Sequence, residues 1–271
     1  RVAVMRRKKK KISARLKVER QVFKTVSPLL DKLLAPPKIE NIKRVLFIQP
    51  HPDDNQIAAG GTIAAMVSRG VEVFELTVLD DRYLDLTYKG EGLTVRQKEA
   101  LAAQELLGMK NAGFLDFGDR TKASAREISE KIVEVIREVK PDAVFTADPN
   151  LENECHEDHI KVANAVKYAV MDATFPFYPE YIDNKPREDV WTVKTLGFYY
   201  TDKPNTIVDI SDFEQLKIDS IRCHKSQPIN ELEPVIVLLD QQLALGTEYK
   251  AAEVFRIISN FHMHCFNLPV G

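Results

Sequence analysis

The sequence predicts an α/β fold: a mainly parallel sheet with helices on both faces. Three observations carry this. From Arg44 onward, short apolar runs alternate with helical patterns, as parallel strands joined by crossover helices do. The chain has 271 residues, 44% of them hydrophobic, enough for one large core. Residues 45–48 are continuously apolar and 143–147 are apolar but for Thr146, as strands buried on both faces are.

The elements follow in order. Residues 45–48 read as the first strand. Residues 62–68 read as a helix stopped by Gly70, and 71–79 as the second strand. Thr94 and Gln97 have capping-box spacing and open a helix that stops near Gly108. A short strand spans 114–117. Ile128, Ile132, Val135, Ile136 and Val139 form one helical stripe, closed by Pro141. Residues 143–147 form a strand, 160–171 a helix with Val162, Val166 and Val170 on one side, and 175–186 a loop or lid rich in proline and aromatics. A strand over 193–200 and helices over 213–223 and 234–245 complete the pattern.

Charge divides the chain. Residues 1–44 hold 15 Lys/Arg and 3 Asp/Glu, a net of +12, and the remainder holds 23 and 37, a net of −14. The sharpest change in composition lies near Lys43, so residues 1–43 form a basic, helical extension and 44–271 the domain. Leu16, Phe23 and Leu30, with Val26 and Leu33, give the extension an amphipathic face. The bland reading, a helix packed on the body or at a subunit contact of a homo-oligomer, is preferred to nucleic-acid or membrane binding, because basic runs alone carry little information. Cys155, Cys223 and Cys265 are too few and too scattered for a disulfide framework. With no apolar run of membrane-spanning length and no signal-peptide pattern, a cytoplasmic location is expected.

The chemistry sits at two strand exits. After the first strand the chain reads Gln49-Pro50-His51-Pro52-Asp53-Asp54-Asn55, and after the 143–147 strand it reads Cys155-His156-Glu157-Asp158-His159. Ligands bind at the carboxyl ends of strands in open α/β sheets. Imidazole with carboxylate is a ligand set for zinc or another divalent metal. His51, Asp54 and His159 give three ligands and leave a position open for water, as catalytic zinc sites do. Asp53 is then free to take a proton, and His156 to polarise or protonate the substrate. Each of these residues alone fits a helix cap or a solvated loop. Together they predict metal-assisted hydrolysis.

Pro50-His51-Pro52-Asp53-Asp54 followed by Gly60-Gly61-Thr62 resembles the signature of the LmbE-like (PIG-L type) zinc-dependent de-N-acetylases. The resemblance extends through Arg96 with Glu99, Asp119, Asp148-Pro149-Asn150, His156-x-Asp158-His159 and His224-Lys225-Ser226-Gln227, roughly residues 44–227. It implies a Rossmann-like doubly wound sheet and hydrolysis of an N-acetyl group from an amino sugar or sugar conjugate, releasing acetate. It further implies zinc on His51, Asp54 and His159, Asp53 as general base, and His156, oriented by Asp158, as stabiliser of the oxyanion. Arg96 and Asp119 correspond to positions that shape the sugar pocket. Two departures stand out: Asn55 and Glu157 occupy positions where the family usually has Glu and Pro. Asn55 can still cap a helix or hold a neighbouring ligand, so the change is read as tuning.

His262 and His264 alternate with apolar residues and read as a terminal strand with both imidazoles on one side, His264 being preferred as a contributor to a sugar pocket. Cys155 is read as a buried bystander thiol. Two rivals remain: a metal-dependent amidase acting on a non-sugar N-acyl compound, and a non-catalytic module binding nucleotide or nucleic acid. The absence of a Gly-x-Gly-x-x-Gly turn after the first strand counts against the second.

Overall fold

A computed structural model describes residues 37–80, 89–178 and 186–264, with scattered positions between 17 and 28. By contacts the chain divides into a unit of residues 37–260 and one of residues 1–36 with 261–271. In the latter, Lys17, Val18, Gln21, Val22, Lys24, Thr25 and Pro28 are helical and exposed. The apolar positions expected to form the face of that helix lie outside the described residues.

The larger unit is built on a seven-stranded sheet, ordered β3-β2-β1-β4-β5-β7-β6. The strands are β1 (Arg44–Gln49), β2 (Glu72–Leu79), β3 (Lys110–Phe117), β4 (Ala143–Ala147), β5 (Thr195–Tyr199), β6 (Thr206–Asp209) and β7 (Ala252–Ser259). Strands β1 to β5 pair in parallel, while β7 runs antiparallel to β5 and β6. The helices are α1 (Asp54–Ser68), α2 (Val95–Leu107), α3 (Ala125–Val139), α4 (Glu157–Asp172), α5 (Glu214–Ile221) and α6 (Ile229–Leu243). No described helix is long and apolar enough to cross a membrane.

The sheet is the expected mainly parallel, doubly wound one. β4 and β5 are buried throughout and β1 nearly so, because helices cover both faces. The expected cap forms: Thr94 with Gln97 opens α2 as a reciprocal capping box, and Ser124 with Glu127, not read from the sequence, opens α3 in the same way. Gly108 closes α2 at φ 72°, where a side chain would be strained.

Three expectations are corrected. The first helix begins at Asp54, not Thr62, so Gly60 and Gly61 lie inside it. A Cβ on Gly61 would stand 2.7 Å from Cβ of Ile210, and one on Gly60 would stand 2.9 Å from Cγ of Lys217. Close packing therefore accounts for glycines that propensity alone reads as a loop. Helix α6 starts at Ile229 and carries Pro234 inside it. At the tail, Asn260–Met263 form a 3₁₀ turn rather than a strand, with His262 buried and His264 exposed, so the two imidazoles do not share a side.

The strand order fixes where a site can form. From β1 the chain winds outward through β2 and β3, then crosses back to β4 on the other flank of β1. That reversal opens a crevice at the carboxyl ends of β1 and β4, where ligands bind in such sheets.

Candidate active site

Both clusters read from the sequence lie at this crevice. His51 to Asp53 form the turn between β1 and α1, with the amides of Asp53 and His51 engaged by the carbonyl of His51 at 2.8 Å and by Asp54 Oδ2 at 2.9 Å. Asp53 stands at the N-cap and Asp54 in the first turn of α1. Across the crevice His156 is the N-cap of α4, and Asp158 and His159 lie in its first turn.

Donor atoms of three residues converge. His51 Nδ1 is 3.3 Å from His159 Nε2 and 3.5 Å from Asp54 Oδ2, and His159 Nε2 is 3.4 Å from Asp54 Oδ1. Ligands bonded at 2.0–2.1 Å in a tetrahedral shell stand roughly 3.4 Å apart. Two imidazoles and a carboxylate at this spacing fit a divalent ion without rearrangement. Donor atoms of His51, His156 and His159, and of His51, Asp119 and Asp158, also lie within 4.8 Å of one another. The rings of His156 and His159 stack at 4.7 Å and 10°.

Around these donors lies a cavity of about 750 Å³, lined by Asp53, Arg96, Asp119, Arg120, His156 and Gln227 among others. Arg96 reaches Asp53 directly, Nη2 to Oδ2 at 2.8 Å, with both side chains largely buried. Eight of the residues predicted from the sequence, His51, Asp53, Asp54, Arg96, Asp119, His156, Asp158 and His159, line this cavity; the ninth is His264. It belongs to the unit of residues 1–36 and 261–271 and is exposed. Asp158 faces a different partner from the one expected: its Oδ2 lies 3.5 Å from His51 Nε2, and its oxygens accept the Arg120 amide at 2.9 and 3.2 Å. Cys155 is exposed rather than buried. Trp191 donates to the carbonyl of Pro141 at 2.7 Å and does not line the cavity. Residues 179–185 of the expected lid lie outside the described residues.

Sequence reasoning missed Glu154. Its Oε2 is 2.8 Å from His159 Nδ1, and its Oε1 accepts the His156 amide at 2.7 Å. A carboxylate on the far ring nitrogen fixes the orientation and basicity of a metal-binding histidine. Glu154 sits in the acidic stretch Leu151-Glu152-Asn153-Glu154, where nothing local separates it from Glu152. Arg120, itself at φ 53°, was also missed. Gln227 was noted within a motif but carried no role.

The electrostatics suit a cation. Burial pushes the His51 imidazole down, but the carboxylates of Asp158, Asp54 and Asp119 outweigh it and bring its pKa up to about 10. Burial alone would raise Asp54, yet His51 and His159 hold it near 2. At Asp53 burial wins over Arg96 and the pKa is raised. Burial lowers His156, which favours the neutral ring.

A Rossmann-like crevice with a two-histidine, one-carboxylate cluster and an adjacent carboxylate held by Arg96 defines the class, a hydrolase site suited to a metal ion. Comparison with known proteins narrows it. Residues 46–170 match the family model described as GlcNAc-PI de-N-acetylase. The chain is 34% identical over 251 residues to diacetylchitobiose deacetylase of Thermococcus kodakarensis, covering 90% of this chain and 93% of that one. It is 31% identical over 224 residues to a probable N-acetyl-α-D-glucosaminyl L-malate deacetylase 2 of Bacillus cereus, covering 79% and 96%. Among solved structures, N,N'-diacetylchitobiose deacetylase from Pyrococcus horikoshii superposes with a TM-score of 0.78 at 29% identity, covering 91% and 95%. The chain belongs to the PIG-L (LmbE-like) family of de-N-acetylases.

Proposed function

We propose that this protein hydrolyses the N-acetyl group of an N-acetylglucosamine-containing saccharide, releasing acetate and leaving the free amine. The observation that carries this is the 3.3–3.5 Å convergence of His51, Asp54 and His159 donors beside the Arg96-held carboxylate of Asp53, in a cavity large enough for a sugar. The nature of the relatives supports the substrate class.

His51, Asp54 and His159 hold the metal, zinc being the ion this donor set favours. When bound, zinc polarises the acyl carbonyl and lowers the pKa of water to about 7. The rest is the work of the chain. Asp53 accepts the proton of the attacking water, kept in place by Arg96. His156, at the opposite wall, directs a ring N–H to the oxyanion that develops as the carbonyl carbon becomes tetrahedral. The carbon–nitrogen bond then breaks, the water oxygen leaves in acetate, and the proton on Asp53 passes to the amine. Asp158 steadies His51 rather than reaching the substrate. Asp119 accepts from sugar hydroxyls, and Arg96 closes the same wall.

The test is acetate release from N,N'-diacetylchitobiose and N-acetylglucosamine by protein purified without added metal, with metal content measured in parallel. Asp53→Ala is expected to lose about 10²–10⁴ in turnover while retaining zinc, and His159→Ala to lose both. Turnover retained by Asp53→Ala removes the base. Release from acylated amines alone favours the non-sugar amidase.

A further inference from the structure

Behind the catalytic turn lies a carboxylate that none of these steps uses. Glu75 is in the middle of β2 and fully buried. Its Oε2 accepts from Asn55 Nδ2 at 3.0 Å and Gln56 Nε2 at 2.9 Å, and its Oε1 accepts from Gln104 Nε2 at 2.8 Å. These three partners are neutral carboxamides. Burying a carboxylate is costly, and burial raises the pKa of this one. A strand interior flanked by Phe47 and Asn111 in the neighbouring strands has no packing need for an acid.

What Glu75 holds explains its presence. Asn55 and Gln56 directly follow Asp54, in the first turn of α1. Gln49, at the end of β1, joins the same network: its Oε1 accepts the Asn55 amide at 3.0 Å and its Nε2 donates to Thr77 Oγ1 at 2.9 Å. The start of α1 is thus tied to β1, β2 and α2 through side chains, and Glu75 supplies the charge-assisted bonds, about twice as strong as neutral ones.

We propose that Glu75 is a positioning residue for Asp53 and Asp54, fixing the start of α1 so that both carboxylates meet the ion and the attacking water in register. This rests on the ligand assignment proposed above. The chemistry of the network makes it testable by exchange. In Glu75→Gln the new amide faces Asn55 and Gln56 donors, which can turn their Oδ1 and Oε1 atoms (both without a partner among the described residues) only by leaving buried N–H groups unpaired. Asn55→Asp sets two buried carboxylates about 3 Å apart, by the present Asn55–Glu75 spacing. The double exchange, Asn55→Asp with Glu75→Gln, restores one acid and one amide with donor and acceptor reversed.

The experiment measures zinc affinity by chelator competition, kcat and KM on N,N'-diacetylchitobiose, and folding by circular dichroism. Glu75→Gln is expected to lower zinc affinity and kcat by about 10- to 100-fold, the usual effect of removing a partner behind the ligands, with KM unchanged within about threefold. Asn55→Asp loses at least as much, and the double exchange returns both quantities to within about threefold of the parent. Values for Glu75→Gln within threefold of the parent overturn the inference, as does a double variant no better than the product of the singles. If Asn55→Asp does not fold, the double is judged against Glu75→Gln: a gain supports the inference, and no gain or an unfolded double overturns it. Zinc affinity that falls and recovers as stated, with no deacetylation by the parent, leaves Glu75 in its role and removes the proposed activity instead.

Discussion

Helix α1 carries Asp54, and a buried ion cluster pins its middle. Lys217 on α5 is 1% exposed in its side chain and lies 2.8 Å from Asp240 Oδ1 and 2.9 Å from Glu253 Oε1. Glu253 on β7 in turn accepts the amides of Gly61 and Thr62 at 3.0 and 2.8 Å. Burial would lower the Lys217 pKa, but the two carboxylates raise it, so the ammonium is charged. Lys217→Met keeps the apolar stem and removes the only cation of the cluster. Two buried carboxylates then lose their counter-ion, which costs about 3–5 kcal/mol. For a domain of this size each kcal/mol shifts Tm by about 2–4 °C, so a fall on the order of 10 °C is expected in a thermal melt at pH 8. The deficit is smaller at pH 5. Burial raises Asp240 to about 6 from the ordinary 3.8 even with Lys217 holding it down, so without the lysine it takes up a proton still more readily as pH falls, and the charge left uncovered shrinks. The exposed pair Arg222–Glu233 at 2.6 Å provides the control: Glu233→Gln is expected to leave Tm unchanged within error, as exposed pairs do. A Lys217→Met melt within about 2 °C of the parent refutes the reasoning.

Two further perturbations follow from packing and burial. Gly61→Ala drives a methyl to 2.7 Å from Cβ of the fully buried Ile210, an overpacking cost of about 1–3 kcal/mol. Denaturant titration with an unchanged midpoint contradicts that. His224 is fully buried, and neither ring nitrogen has a hydrogen-bond partner among the described residues. Burial, with Arg96 nearby, lowers its pKa from 6.5 to about 3. The ring stays neutral in the folded chain and gains a proton below pH 6.5 in the unfolded one. The stability it secures is therefore complete above pH 6.5 and is lost as pH falls toward 3, at up to about 1.4 kcal/mol per pH unit. His224→Phe is expected to remove that one-proton slope from the acid limb of stability against pH, and an identical slope refutes it.

The sequence revealed the parts of this protein whose signals are local. β1 holds the apolar run 45–48 and β4 is apolar but for Thr146, so their exits, and with them His51, Asp53, Asp54, His156 and His159, were legible. The capping box at Thr94 was equally plain, because its partner Gln97 lies three residues on. What escaped depends on contacts across the fold. Gly60 and Gly61 weaken any helix on propensity, yet Lys217 and Ile210 from distant segments require them. Pro234 is usually a helix start or stop, and α6 carries it within. β6 is four residues long and β7 runs antiparallel to its neighbours, so neither belongs to the strand–helix succession that marked the other strands. Glu154 acts only through its approach to His159, and Asp158 turned out to face His51 because Arg120 presents its amide from another loop. None of these has a period or a spacing to read.

Anomalous diffraction at the zinc edge from crystals of the metal-loaded protein decides the matter most directly. One peak is expected between His51 Nδ1, the Asp54 carboxylate and His159 Nε2, at about 2.0–2.2 Å from each, with the carboxylate of Asp53 left unbound. A peak held by His156 in place of Asp54, or by His51 with Asp119 and Asp158, or no ion in this crevice, contradicts it.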